Sequence, residues 1–224
     1  GSSVANHTKR VYDSRRLSSS TYDVSIIGGG IIGLATALQL VKAYPKYRIA
    51  VVEKEAQVGS HQTGHNSGVI HSGVYYKPGS HKARLCVSGV ESLVRFCEEN
   101  GIEFKRCGKV IVATDESELG RLEELQRRGT ENGVQGLELI SQERLKEIEP
   151  HARGLKALYV PGTGIVDFKA VAEGYAQNVR DGGGEILTER EVTGIVRSNG
   201  SIEVQTSQGA IDSKYLINCA GLYA

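Results

Sequence analysis

Methionine and tryptophan are absent from this 224-residue chain, and cysteine and proline occur only four times each. With no initiator methionine, and with Gly1-Ser2 at its head, the sequence is expected to be less than a whole native product. Cys86, Cys97, Cys107 and Cys219 form no C-x-x-C pair and no zinc-like spacing, so no metal site is expected. Cys86, Val90, Leu93 and Cys97 follow helical spacing, which makes two of the thiols reduced members of an apolar stripe. A catalytic thiol or a disulfide is the alternative. Charge of one sign is also lacking: 27 Lys and Arg face 26 Asp and Glu, so no basic field draws the chain to nucleic acid. From Val24 to Val41 no residue is charged, but Gly28, Gly29 and Gly30 stand together in that run. A strand followed by a helix explains those residues better than a membrane span.

What is present is concentrated between Tyr22 and Glu53. Asp23-Val-Ser-Ile-Ile runs into Gly28, Gly30 and Gly33, spaced G-x-G-x-x-G, and Leu34 to Val41 then offers an apolar helix. Gly28 makes the tight turn, Gly30 admits a pyrophosphate close to the backbone, and Gly33 lets helix and strand pack. The helix N-terminus, with unpaired N–H groups and the positive end of its dipole, suits a diphosphate. A second apolar strand, Ile49 to Val52, ends at Glu53, where a carboxylate can take up a ribose diol, with Lys54 beside it. Together these predict a dinucleotide-binding βαβ unit.

Ahead of it, Val4 to Ser20 carries Lys9, Arg10, Arg15 and Arg16 against Asp13 alone and closes in Ser18-Ser-Ser20. That composition reads as a mitochondrial transit-peptide remnant or a plain basic tail. Farther on, helices are predicted over His81–Asn100 with Gly101 as cap, Glu116–Asn132 with Leu119, Leu122 and Leu125 on one face, and Phe168–Arg180 capped by Asp167. Ser141 caps a short helix ending before Pro150. Strands are predicted in Phe104–Thr114, Leu137–Ile140, Leu155–Val160, Glu185–Leu187, Val192–Arg197, Ile202–Thr206 and Ala210–Asp212, and from Tyr215 to the closing Ala-Gly, with Asn199-Gly200 as a hairpin turn. The predicted class is α/β: a Rossmann-like parallel sheet with an antiparallel, β-rich substrate-binding layer. The expected division is a leader over 1–20, a first part of the dinucleotide domain over 21–82, a cap insertion over 83–163, and its second part over 164–224.

After Glu53 comes a long polar loop in place of the next short βα unit. His61-Gln-Thr-Gly-His-Asn-Ser-Gly-Val-Ile-His-Ser-Gly-Val-Tyr-Tyr-Lys-Pro78 is too polar for a core and too rich in glycine for a long helix. Such a loop can wrap a cofactor with backbone N–H groups and small side chains. This run, with the opening glycine turn, Gly164-Ile-Val-Asp167 and Asn218-Cys-Ala-Gly221, resembles the L-2-hydroxyglutarate dehydrogenase family of the FAD-dependent, D-amino-acid-oxidase-like superfamily. The likeness runs from Tyr22 to Ala224.

The resemblance implies FAD as cofactor and oxidation of a dicarboxylate 2-hydroxy acid to its 2-oxo acid, with hydride passing from C2 to flavin N5. By family analogy Gly28, Gly30 and Gly33 hold the pyrophosphate and Glu53 the ribose. Thr63, Asn66, Ser67 and Gly68 lie along the diphosphate toward the flavin, the Val192 backbone meets adenine, and Ala220 and Gly221 return beside the cofactor. His71 is the candidate base, or else a histidine that only hydrogen-bonds flavin or a loop carbonyl. Tyr75, Lys77 and Arg84 are candidates for the substrate carboxylates, or ordinary solvated residues. The implied setting is mitochondrial, with a quinone or other respiratory electron acceptor, peripheral rather than spanning contact with a membrane, and no nucleic-acid partner. Family members continue beyond the Ala-Gly strand, so this stretch alone is expected to bind FAD weakly or not at all. A related flavin dehydrogenase or oxidase acting on glycerol 3-phosphate or an amine is the competing reading, and a non-catalytic dinucleotide-binding protein is another.

Overall fold

A computed structural model describes residues 21–198 and 200–224; the basic leader lies outside the described residues. The chain runs β1 (Thr21–Ile27), α1 (Ile31–Ala43), β2 (Ile49–Val52), β3 (Val69–Ile70), α2 (His81–Asn100), β4 (Phe104–Lys105), β5 (Lys109–Ala113) and α3 (Leu119–Glu131). It continues through β6 (Glu138–Ser141), α4 (Gln142–Ile148), β7 (Lys156–Val160), β8 (Gly164–Val166), α5 (Phe168–Asp181), β9 (Glu185–Leu187), β10 (Val192–Ser198), β11 (Ser201–Thr206) and β12 (Gly209–Asn218).

The main sheet has the order β10-β11-β12-β1-β2-β9. From β12 to β9 its pairs are parallel, and β10-β11-β12 adds an antiparallel meander on one edge. The alternation of side chains explains why β2 is buried throughout. Ile49 and Val51 join the core under α1 and α5, while Ala50 and Val52 face a second core with Ile202, Val204 and Ile211. Two small antiparallel sheets, β3-β8-β4 and β5-β7-β6, complete the layers. Leu119, Leu122 and Leu125 bring α3 onto β7 in a separate core that also takes in Val74 of the polar loop.

Most predicted elements are present with their caps. Gly101 ends α2 in the left-handed region, and Ser141 and Asp167 accept backbone N–H groups at the starts of α4 and α5. Three differences have physical causes. Strands β3 and β8 were not predicted, because two or three residues flanked by glycines carry no periodicity. The stretches Ala210–Asp212 and Tyr215–Asn218 are one strand, β12, continuous through Ser213 and Lys214. The expected boundary at 82/83 passes through α2, whose Val94, Phe96 and Cys97 pack in the core of the first unit. Cys97 is fully buried, as its stripe position predicts, whereas Cys86 is only half-buried and Cys107 exposed; all four thiols are free.

Candidate functional site

Strand order reverses around β1. The path through α1, β2, α5 and β9 moves to one side, and β12 returns on the other. In open α/β sheets such a switch point opens a crevice at the carboxyl ends of the strands. Here it is a cavity of about 560 Å³ lined by Ile27, Gly28 and Gly30 from the end of β1, Val52, Glu53 and Lys54 from the end of β2, and Asn218 to Ala224 from the end of β12 onward.

The three glycines divide the work of the turn. Gly28 has φ 103°, and a Cβ there would stand 2.4 Å from the Cys219 carbonyl oxygen. At Gly33 a Cβ would stand 2.0 Å from the Gly28 carbonyl oxygen, so only hydrogen fits where helix crosses strand. Gly30 is different: a Cβ would meet only the Thr63 hydroxyl, at 3.4 Å, and otherwise extend into open space. The N-cap residue of α1, Gly30, has no side chain to cap it. Its first turn meets the polar loop instead, where Ile31 N–H donates to Thr63 Oγ1 at 3.0 Å. A helix N-terminus without a cap from its own N-cap residue, behind a Cβ-free turn, is a fitting cradle for a diphosphate.

Glu53 is buried and braces the turn. Its Oε2 accepts from Gly29 N–H at 2.6 Å and its Oε1 from Glu55 N–H at 2.9 Å. Each carboxylate oxygen keeps a further lone pair for a hydroxyl. Lys54 Nζ stands 3.6 Å from the centroid of the Tyr223 ring, and His61 meets the edge of that ring. Val192 lines the cavity at a bulge where β10 loses register with β11. Ala220 and Gly221 line it too, in a turn held by the Asn218 side chain, whose Oδ1 accepts from Ala220 N–H. The sequence reading missed Arg190 and Glu191 in this wall. Arg190 N–H donates to the Glu53 carbonyl, and only closeness to Val192 could have pointed to it.

Other expected cofactor residues stand apart. Asn66, Ser67 and Gly68 do not line the cavity. The Asn66 amide shapes its own loop, donating to the Thr63 carbonyl and accepting from Gly68 N–H. Gly68 has φ 67° and its carbonyl accepts from Val166 N–H, which docks the loop on β8.

His71, Tyr75, Lys77 and Arg84 all lie outside the cavity. β3 ends with Ile70 paired to Gly164, so His71 leaves the sheet beside Thr163. The His71 ring is exposed, and its carbonyl accepts from the Cys86 thiol at 3.1 Å. Burial pushes that thiol up from its ordinary range and the nearby Lys109 ammonium pulls it down, so at neutral pH it remains a donor. Val74 is fully buried in the α3 core, and one amide clamps the loop around it: Asn132 Nδ2 donates to the carbonyls of Gly73 and Tyr76. The loop is thus fixed to the second layer. Arg84 is joined to His81 Nδ1 on α2, and Lys77 is exposed.

A family model described as FAD dependent oxidoreductase matches residues 23–224. The chain belongs to that family. The family's cofactor is FAD, and the glycine turn and cavity offer a place for its diphosphate. Among curated proteins it is 47% identical over 223 residues to the mitochondrial L-2-hydroxyglutarate dehydrogenase of Homo sapiens, covering 94% of this chain and 48% of that protein. It is 46% identical over 204 residues to the L-2-hydroxyglutarate dehydrogenase of Escherichia coli, covering 91% and 48%. The chain therefore spans about half the length of the curated relatives it matches. Among solved structures, the FAD-bound L-alpha-glycerophosphate oxidase of Mycoplasma pneumoniae superposes with a TM-score of 0.84 at 29% identity, over 91% of this chain and 55% of that one. Among the described residues no helix is long and apolar enough to cross a membrane.

Thr63 offers a local test of the family turn. Thr63→Val keeps the shape but leaves Ile31 N–H without its acceptor, an expected loss of about 1–2 kcal/mol. Thermal unfolding of the full-length protein should show it, and Thr63→Ser should recover most of it.

Proposed function

We propose that this chain is the cofactor-binding half, with part of the substrate layer, of an enzyme that oxidises L-2-hydroxyglutarate to 2-oxoglutarate. The observation that supports this most is the 47% identity to L-2-hydroxyglutarate dehydrogenase across 94% of the chain. When bound, FAD supplies a two-electron acceptor for the hydride leaving C2. Gly28 and Gly30 admit the diphosphate, the α1 N-terminus neutralises part of its charge, and Gly33 keeps the helix in place to do so. Glu53 accepts from the adenosine ribose, with Lys54 at the same end, and the Val192 backbone faces adenine. Thr63 orients the first turn of α1, while Asn66, Ser67 and Gly68 set the path of the loop toward the flavin. Ala220 and Gly221 close the other side.

Hydride leaves a secondary alcohol readily only as its hydroxyl proton is taken, which calls for a base within hydrogen-bond reach. His71 is that base in this reading. Tyr75, Lys77 and Arg84 supply hydroxyl and cationic groups for the two carboxylates. A mitochondrial setting is supported by the names of animal relatives, although bacterial proteins of the same name are equally similar. By family analogy alone, the electrons pass on to a quinone or another respiratory carrier.

The test is anaerobic reduction of the full-length flavoprotein. Addition of L-2-hydroxyglutarate is expected to bleach the flavin, with the D enantiomer inert. Bleaching by glycerol 3-phosphate or an amine instead would move the enzyme to another substrate, and bound flavin that no 2-hydroxy acid reduces would favour a non-catalytic protein.

A further inference from the structure

Sequence alone nominated Tyr75, Lys77 and Arg84 for the substrate carboxylates, and the structure adds a cation none of those readings contained. Lys109 opens β5, and its Nζ lies 4.2 Å from the centroid of the Tyr75 ring. Its strand is anchored by pairing with β7, Lys109 opposite Val160. Gly108, just before it, donates its N–H to the carbonyl of Thr163, the residue beside which His71 emerges. The Lys109 charge is also felt at the Cys86 thiol, which holds the His71 carbonyl. The Tyr75 contact brings one ammonium to the loop that also carries His71, and the strand pairing and the Gly108 bond fix the backbone from which it reaches.

This ammonium is uncommitted. Among the described residues no carboxylate lies within 4.0 Å of Lys109 Nζ and no hydrogen bond takes up its donors. Arg84, by contrast, donates to His81, and both Arg84 and Lys77 stand exposed. Lys109 is half-buried, with its backbone in a sheet, and a site built on a strand holds geometry better than one on a loop. A half-buried ammonium resting on an aromatic face, without a counter-ion, is suited to an anion.

We propose that Lys109, seated on Tyr75, receives the substrate carboxylate remote from the reacting carbon and so selects a dicarboxylate. The inference rests on the substrate reading above. In this assignment the remote carboxylate is held equally in the ground and transition states, and such uniform binding shows in KM while kcat stays nearly unchanged.

The experiment uses the full-length holoenzyme and two substrates, L-2-hydroxyglutarate and its 5-amide, whose remote end is neutral. Lys109→Met is expected to lower kcat/KM for the diacid by about 10- to 100-fold, through KM, the loss of one charge-assisted hydrogen bond. The 5-amide should be used by Lys109→Met and by the parent protein equally, and Lys109→Arg should restore most of the diacid preference. Glutarate, which cannot react, gives a second readout: its dissociation constant, followed by perturbation of the flavin spectrum, should rise by the same factor in Lys109→Met. Equal losses on diacid and amide, an unchanged KM for the diacid, or no rescue by arginine would each overturn the assignment while leaving the substrate reading intact. If the parent protein is not reduced by L-2-hydroxyglutarate at all, the substrate reading falls and this assignment with it.

Discussion

Gly33→Ala is expected to leave the full-length protein without bound flavin, though the change adds a single methyl group. That methyl would lie 2.0 Å from the carbonyl oxygen of Gly28 and 3.2 Å from its carbon, so the obstacle is backbone and cannot rotate away. Either α1 moves off β1 or the Gly28 turn deforms, and Gly28 is already confined by the Cys219 carbonyl on its other side. Overpacking of this kind costs about 3 kcal/mol, roughly a hundredfold in an equilibrium constant. The damage falls on the element that presents the helix N-terminus to the diphosphate. Absorbance of the purified protein near the flavin band, with a titration of added FAD, measures it. Gly89→Ala in α2 is the control: nothing lies within 4 Å of its added methyl, so that variant should stay yellow and gain about 0.5–1 kcal/mol of stability. If Gly33→Ala binds FAD as the parent does, the close packing of α1 on the turn is not what supports the cofactor site.

The same constraint explains why the cofactor end of the molecule could be read from sequence. Gly28 and Gly33 are demanded by backbone geometry, and Glu53 by its place at the end of β2, so spacing alone reveals them. Helices announce themselves through caps and stripes, as Ser141, Asp167 and the leucines of α3 do. The layer that carries His71 and Tyr75 depends on pairings between distant short segments, and these leave no local pattern. β3 and β8 are too short for periodicity, yet their pairing decides where His71 leaves the sheet. Asn132, fifty-nine residues from Gly73, looks in sequence like part of an ordinary Asn-Gly helix stop, and its clamp on the loop appears only in three dimensions. Lys109 looks like a polar residue at the start of an apolar strand until Tyr75 is found beneath it. The FAD reading adds a further limit: eight of the twelve expected cofactor residues line the cavity, and Gly33, Asn66, Ser67 and Gly68 stand behind or beside it. For Gly33 the reason is packing, and for Asn66 and Gly68 it is the shape of the loop.

His71→Asn should separate the two roles open to that histidine. If His71 takes the hydroxyl proton as hydride leaves C2, asparagine retains a polar side chain but cannot accept a proton near neutral pH. The expected loss in kcat is about 10²–10⁴-fold, the usual contribution of a positioned general base. The fold should tolerate the change, because the ring is exposed and the Cys86 bond is made by the backbone carbonyl, which asparagine preserves. FAD content and thermal stability should accordingly match the parent protein. The pH profile supplies the decisive contrast. A base must be deprotonated to act, so kcat/KM in the parent should rise with pH on its acid side, and that limb should vanish in His71→Asn. Replacing the C2 hydrogen with deuterium adds a second criterion: with proton removal impaired the chemical step becomes slower, so the isotope effect on kcat should grow or reach its full value. A histidine that merely hydrogen-bonds the flavin or a loop carbonyl predicts a different pattern, a loss of tenfold or less with the acid limb intact. That result would leave the Cys86-to-His71 contact as a structural tie and would send the search for the base to other residues.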